Sequence, residues 1–183
     1  MRVVALIGFS GSGKTTLAEI IIAGLCARGS SVGSVKRIHA EGFALDTPGT
    51  NTDRHRQAGA GPVTALGDRE TDILFDHPLT IDEVLAHYDQ DFVVLEGVRD
   101  ARIPAIVVAT REEDVAAKDN GNVVAVAGRL VEGMPPGASL DAAPYLALPA
   151  LDALRYPEAL IDFVVERAAS WPAASSVVLN PAS

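Results

Sequence analysis

Cysteine, lysine and aromatic residues are all scarce in this chain of 183 residues. The single cysteine, Cys26, cannot close an internal disulfide, which excludes a disulfide-stapled scaffold. The four histidines, at positions 39, 55, 77 and 87, have no ligand-like spacing and no cysteine partners, which argues against a structural zinc site. No run of about 18 apolar residues exists, so no membrane-spanning helix is expected. The opening stretch Met1 to Phe9 is short for a signal peptide and has no small-residue cleavage site. A soluble cytoplasmic protein is the expectation. Basic residues are outnumbered: 15 Lys and Arg face 24 Asp and Glu, a net charge of −9. That balance disfavours broad nucleic-acid or anionic-membrane binding. A polyanionic ligand must meet a cationic site built locally. What remains, 48% apolar and 21% charged residues, is the balance of one globular domain with a substantial core.

Buried strands alternate with amphipathic segments along the chain. Val3 to Ile7 is a continuous apolar run ending at Gly8, the pattern of a strand covered on both faces. From Lys14 to Arg28 apolar residues recur at helical spacing, and Gly29 supplies a stop. Strands are expected at 32–38, 62–66, 71–75, 92–96, 103–109 and 123–127, and a short helix around 52–58. Thr80-Ile81-Asp82-Glu83 and Thr110-Arg111-Glu112-Glu113 have capping-box spacing. Pro157 opens a last helix. The stretch 128–149 holds four of the eleven prolines and three glycines, and reads as a long loop or insertion. Residues 172–183 read as a loose tail. The alternation predicts a mostly parallel α/β sheet flanked by helices, a single domain over 1–171.

Gly8-Phe9-Ser10-Gly11-Ser12-Gly13-Lys14-Thr15 fits the phosphate-binding-loop pattern, placed between a predicted strand and a predicted helix. Glycine permits backbone conformations that a Cβ forbids, so successive amides, through Thr16, can face phosphate oxygens. The following helix adds its positive dipole end. Lys14 is placed to reach the β- and γ-phosphates, and Thr15 to ligate Mg²⁺ through its hydroxyl. Only three lysines occur, Lys14, Lys36 and Lys118. Lys36, at the end of the second strand, is either a second nucleotide-site ammonium or a solvated strand end. Glu96 ends a wholly apolar strand and precedes Gly97, the arrangement that brings a carboxylate to Mg²⁺ through water or orients an attacking water. The polar turn Asp46-Thr47-Pro48-Gly49-Thr50-Asn51-Thr52 is either a surface turn in which Asn51 or Thr52 caps the next helix, or a switch-like loop bringing Asp46 to the metal. Arg99 and Arg102 are candidate phosphate clamps. The guanine-reading pattern Asn-Lys-x-Asp is absent.

Taken together, these pieces resemble the B proteins of molybdopterin-guanine dinucleotide biosynthesis, a small P-loop family. The likeness covers the Gly-x-Ser-Gly-Ser-Gly-Lys-Thr-Thr-Leu run at 8–17, Val32 to Lys36, His39, Asp46-x-Pro48-Gly49, Thr52, Arg56, Ala58-Gly59-Ala60 and Val94 to Gly97. It spans roughly residues 3 to 167. Two positions depart from the family's usual pattern: Arg37 replaces a histidine after Lys36, and Thr50-Asn51-Thr52 replaces Lys-Asp-Ser. The resemblance implies a P-loop NTPase-like fold, binding of Mg²⁺ and GTP, slow GTP hydrolysis and a homodimer. It also implies an accessory role beside a nucleotidyltransferase that attaches GMP to molybdopterin. Two other classes fit the residues. One is a P-loop small-molecule kinase using Asp46 or Glu96 as base, Arg99 and Arg102 as clamp and 128–149 as lid. The other is a non-enzymatic nucleotide-gated scaffold or metallochaperone.

Overall fold

A computed structural model describes residues 1–40 and 42–171; the expected tail at 172–183 lies outside the described residues. These residues fall into two compact units, Met1–Arg37 together with the chain from Tyr88 onward, and Ile38–His87.

The first unit is a sheet sandwiched by helices. Its strands β1 (Arg2–Ile7), β2 (Val32–Lys36), β5 (Phe92–Glu96), β6 (Ala105–Val108), β7 (Val123–Ala127) and β9 (Tyr145–Leu151) lie in the order β2-β5-β1-β6-β7-β9, all parallel. β8 (Ser139–Ala142) closes one edge antiparallel to β9, and the two-residue β10 (Ala169–Ser170) pairs with the start of β1. β1 is central because it is apolar on both faces; Val3 to Ile7 are at most 1% exposed. One face is covered by α1 (Lys14–Ala27) and α5 (Pro157–Arg167). Leu17, Ile21 and Leu25 from α1 pack with Leu160, Ile161 and Val164 from α5 on Val4, Leu6, Val94 and Ile106. Gly24 lets the two helices approach, since a Cβ there would meet the Ile161 side chain at 2.5 Å. On the other side of the sheet order, α4 (Glu113–Lys118) follows β6.

The second unit holds α2 (Asn51–Gln57), a separate antiparallel hairpin of β3 (Val63–Leu66) and β4 (Thr71–Leu74), and α3 (Ile81–Leu85). The strands expected at 62–66 and 71–75 thus exist but pair with each other, outside the parallel sheet. The capping box at Thr80 forms as its spacing predicts, with Glu83 accepting from the Thr80 amide at 2.8 Å.

Three local expectations are corrected. The stretch 128–149 is no loop: a short 3₁₀ turn (Arg129–Val131) leads into β8 and β9, and β9 extends the main sheet beside β7. Proline and glycine density concealed a hairpin, of which β9 also pairs with β7. Thr110 does not cap α4. Instead Asp114 reaches back to accept from the Thr110 and Arg111 amides, each at 3.0 Å, fixing the turn that leads into the helix. The cap of α2 is Thr50, not Asn51 or Thr52; its hydroxyl accepts from the Asp53 amide at 3.2 Å.

Candidate functional site

Because the strands of the main sheet run parallel, their carboxyl ends share one edge. β1 delivers Gly8 there, β5 Glu96, β2 Lys36 and β6 Val108. β1 sits where successive connections depart to opposite sides, towards β2 and β5 on one hand and β6 on the other, the position at which open α/β sheets bind ligands.

The loop 8–13 takes the turns its glycines allow. Gly8, Gly11 and Gly13 have φ of 155°, 74° and 100°. A Cβ on Gly8 would collide with the Val108 carbonyl and stand 2.8 Å from Ser12 Oγ, so only glycine lets the loop fold against β6. Gly13 is the N-cap of α1 and offers no side-chain acceptor to the first helical amides. With no acidic residue in its first turn either, α1 presents bare amides and the positive end of its dipole to the loop. Ser12 Oγ is buried without a hydrogen-bond partner.

At the end of this loop the cations and oxygens of the site converge. Thr15 Oγ1 donates to Glu96 Oε1 at 2.9 Å. Lys36 Nζ lies 3.1 Å from the same carboxylate oxygen and donates to Thr15 Oγ1 at 3.3 Å. Lys36 ends its strand paired, with 56% of its side chain still exposed. Its ammonium stands between a hydroxyl and a carboxylate, where a cation is wanted. Lys14 Nζ folds back to donate to the Phe9 carbonyl at 2.6 Å. Burial holds its ammonium below the ordinary lysine range; Glu96 opposes that shift, and Lys118 and Lys36 add to it by like-charge repulsion. Lys118, which sequence reasoning passed over, rests its ammonium 3.9 Å from the centre of the Phe9 ring. All three lysines of the chain thus gather at one loop. Their rarity was the signal that could have found the third.

The opposite flank of the loop differs. Gly11, Ser12, Gly13 and Thr16 border a groove of about 210 Å³ that continues over Leu17, Ile20, Gly128 and Leu154. Arg129, Glu132 and Asp152 stand along it, although Asp152 is engaged by the Gly133 and Arg155 amides at 2.8 and 3.2 Å. The loop therefore has an ammonium-rich end and a mainly aliphatic end. Ser10 lies between them on the exposed rim.

Asp46 belongs to the second unit, where its own loop engages it. Oδ1 accepts from the Thr47 amide at 2.9 Å and from the Thr50 and Thr52 hydroxyls at 2.8 and 3.0 Å. Oδ2 is buried and receives no hydrogen bond, with the Arg56 guanidinium 3.7 Å away. These bonds, that of Thr50 foremost, hold the carboxyl below the usual aspartate range. Asp53 beside it is also buried, accepting from the Gly49 amide, Gln57 and Arg56 at 2.8, 2.8 and 3.1 Å. The candidate clamp residues Arg99 and Arg102 each have a protein partner. Arg99 donates to the Asp119 carbonyl at 2.7 Å, and Arg102 grips Asp100 at 2.7 Å and stacks on Trp171. Among the described residues no group of three or more His, Cys, Asp or Glu is placed to hold a metal ion. No helix among them is long and apolar enough to cross a membrane.

This architecture and loop have counterparts. The family profile described as "Molybdopterin guanine dinucleotide synthesis protein B" (MobB) matches residues 3–129. The chain belongs to this family. It is 33% identical over 110 residues to the molybdopterin-guanine dinucleotide biosynthesis adapter protein of Haemophilus influenzae, covering 57% of this chain and 61% of that one. It is 28% identical over 137 residues to the probable adapter protein of Bacillus subtilis, covering 72% and 79%. The H. influenzae protein is thus matched over less than two thirds of its own length. Among solved structures, B. subtilis MobB superposes with a TM-score of 0.68 at 24% identity, over 93% of this chain and all of that one, a likeness of fold. A MobB homologue from Bacillus stearothermophilus gives 0.62 at 28% identity, over 91% of this chain and all of that one. The mostly parallel sheet flanked by helices is the P-loop NTPase-like α/β fold of this family.

Proposed function

We propose that the protein is a Mg²⁺-dependent GTP-binding adapter in molybdopterin guanine dinucleotide synthesis, with slow GTP hydrolysis. The observation that carries the nucleotide reading is the convergence of Lys14, Lys36 and Lys118 on a glycine turn and the bare start of α1, in a chain of net charge −9. Three ammonium groups against the single carboxylate of Glu96 leave an excess of positive charge that a polyphosphate would neutralise.

The residues present fit both ligands. The positive-φ glycines and the uncapped amides of α1 form a cradle that a Cβ at position 8 would fill. The buried Ser12 hydroxyl has hydrogen-bonding capacity to spare. Thr15 and Glu96, a hydroxyl and a carboxylate already in contact, are the hard oxygen donors that suit Mg²⁺, which keeps most of its remaining ligands as water. When bound, the ion would offset the charge of the β- and γ-phosphates. Lys14 would leave the Phe9 carbonyl for those phosphates. Glu96 would orient the attacking water, and the aliphatic groove beside Thr16 would take the nucleoside. Guanine as the base rests on likeness to the family. Slow turnover agrees with Arg99 and Arg102 being held by Asp119 and Asp100: an arginine placed on the transferring phosphate is worth ~10³–10⁵ in rate.

The adapter role rests on membership of the family. Its partner would be the nucleotidyltransferase that joins GMP to molybdopterin, and the working form a homodimer in the cytoplasm. A competition titration with GTP, ATP and GDP at fixed Mg²⁺, run on wild type and Lys14→Ala, tests the nucleotide reading. Micromolar binding of GTP that Lys14→Ala abolishes supports it; equal binding by both proteins refutes it.

A further inference from the structure

Lys118 enters the proposed nucleotide site only as part of its positive charge. It ends α4, more than 100 positions along the chain from Phe9, yet its ammonium stands 3.9 Å from the centre of that ring. Phe9 is 42% exposed and cannot be explained as core. Among the described residues no carboxylate pairs with Lys118, although the protein has 24 acidic side chains. Phe9 instead serves two lysines: its carbonyl accepts from Lys14 and its ring carries Lys118. Two ammonium groups brought to one residue repel each other, and Lys118 is one of the charges that depress the Lys14 pKa. A ring face attracts an ammonium only weakly when exposed, so it parks the charge without neutralising it.

The loop's two ends give this parked charge a direction. The groove suited to a nucleoside adjoins Gly11 to Gly13 and Thr16. Phe9, Lys14, Thr15 and Glu96 lie at the other end, where the Lys14 ammonium serves the β- and γ-phosphates. We propose that Lys118 is a binding residue for the terminal phosphate of the bound nucleoside triphosphate, moving from the Phe9 ring onto the γ-phosphate and so distinguishing triphosphate from diphosphate. Phe9 holds the side chain at the loop until that phosphate arrives. The inference rests on the proposed nucleotide site and adds a γ-phosphate sensor delivered by α4.

The test measures Kd for a non-hydrolysable GTP analogue and for GDP, each with Mg²⁺, on wild type, Lys118→Ala, Lys118→Gln and Lys118→Arg. Thermal melting of each variant reports folding. The expected result is a loss of about tenfold in analogue affinity for the Ala and Gln variants, with GDP affinity within about twofold of wild type and Arg retaining most of the preference. Lys118→Gln keeps most of the aliphatic stem, so it serves if Lys118→Ala melts early. Unchanged analogue affinity, or equal loss of analogue and GDP, overturns the proposal while leaving the nucleotide site standing. Wild type that binds neither ligand overturns the site itself.

Discussion

Two loops of this protein spend their hydrogen bonds in opposite ways. At the loop 8–15 the groups that matter are donors and cations with few partners: uncapped helix amides, an orphaned Ser12 hydroxyl and, from α4, Lys118 parked on the Phe9 ring. In the loop 46–57 the groups are acceptors, and their neighbours satisfy all of the Asp46 and Asp53 carboxylate oxygens but the buried Asp46 Oδ2. Asp46 and Asp53 together accept six hydrogen bonds from residues no more than six positions away. A loop that satisfies itself holds a shape; a loop that does not is shaped for something else. The contrast separates a binding residue from a structural one where both are polar, both sit in turns and both read alike in sequence.

Mutation should split the two loops by what is lost. Lys14→Ala should lower affinity for Mg·GTP at least about a hundredfold in calorimetric titration, since a charge-assisted phosphate contact goes with little folding energy attached. Its melting temperature should hold. Asp53→Ala should do the reverse, costing about 2 kcal/mol in urea unfolding through the unpaired Gly49 amide and Arg56, with nucleotide affinity intact. Glu96→Gln keeps the Thr15 contact but removes the charge; GTP turnover should fall about tenfold, and more Mg²⁺ should be needed for saturation. Thr50→Ala removes the α2 cap and should cost about 1 kcal/mol. Acid should act on the same loop. Hydrogen bonds depress the Asp46 and Asp53 pKa values in the folded chain, so their stabilisation is complete above the unfolded aspartate value of about 3.9 and is lost as pH falls through the lower folded values. Amide exchange measured across that window should show 46–57 opening as the pH drops.

How much of this was legible in the sequence follows from the range of the forces involved. The glycine turn at 8–13, the capping box at Thr80 and the start of α5 at Pro157 are local, set by residues within about one helical turn, and they stand where their spacing puts them. Continuous apolar runs such as 3–7 and 92–95 point to strands covered on both faces, and they are buried as such. The hairpin at 139–151 escaped because Pro144 and Pro149 mimic a loop, and only pairing with β7 and between the two strands reveals it. Asp114 escaped because it holds amides that precede its own helix. The meeting of Lys36 and Glu96 could be anticipated as strand ends on a parallel sheet, with Thr15 at the start of α1 after the central strand, whereas the approach of Lys118 to Phe9 depends on where α4 ends after β6.

The central claim, that the amides of the loop and the start of α1 cradle a polyphosphate, is tested most directly by amide NMR during titration with a non-hydrolysable Mg·GTP analogue. The largest shifts should fall on residues 10–16, and they should vanish in Lys14→Ala. Silence from those amides at saturating analogue, or shifts confined to the self-satisfied loop 46–57, would contradict it.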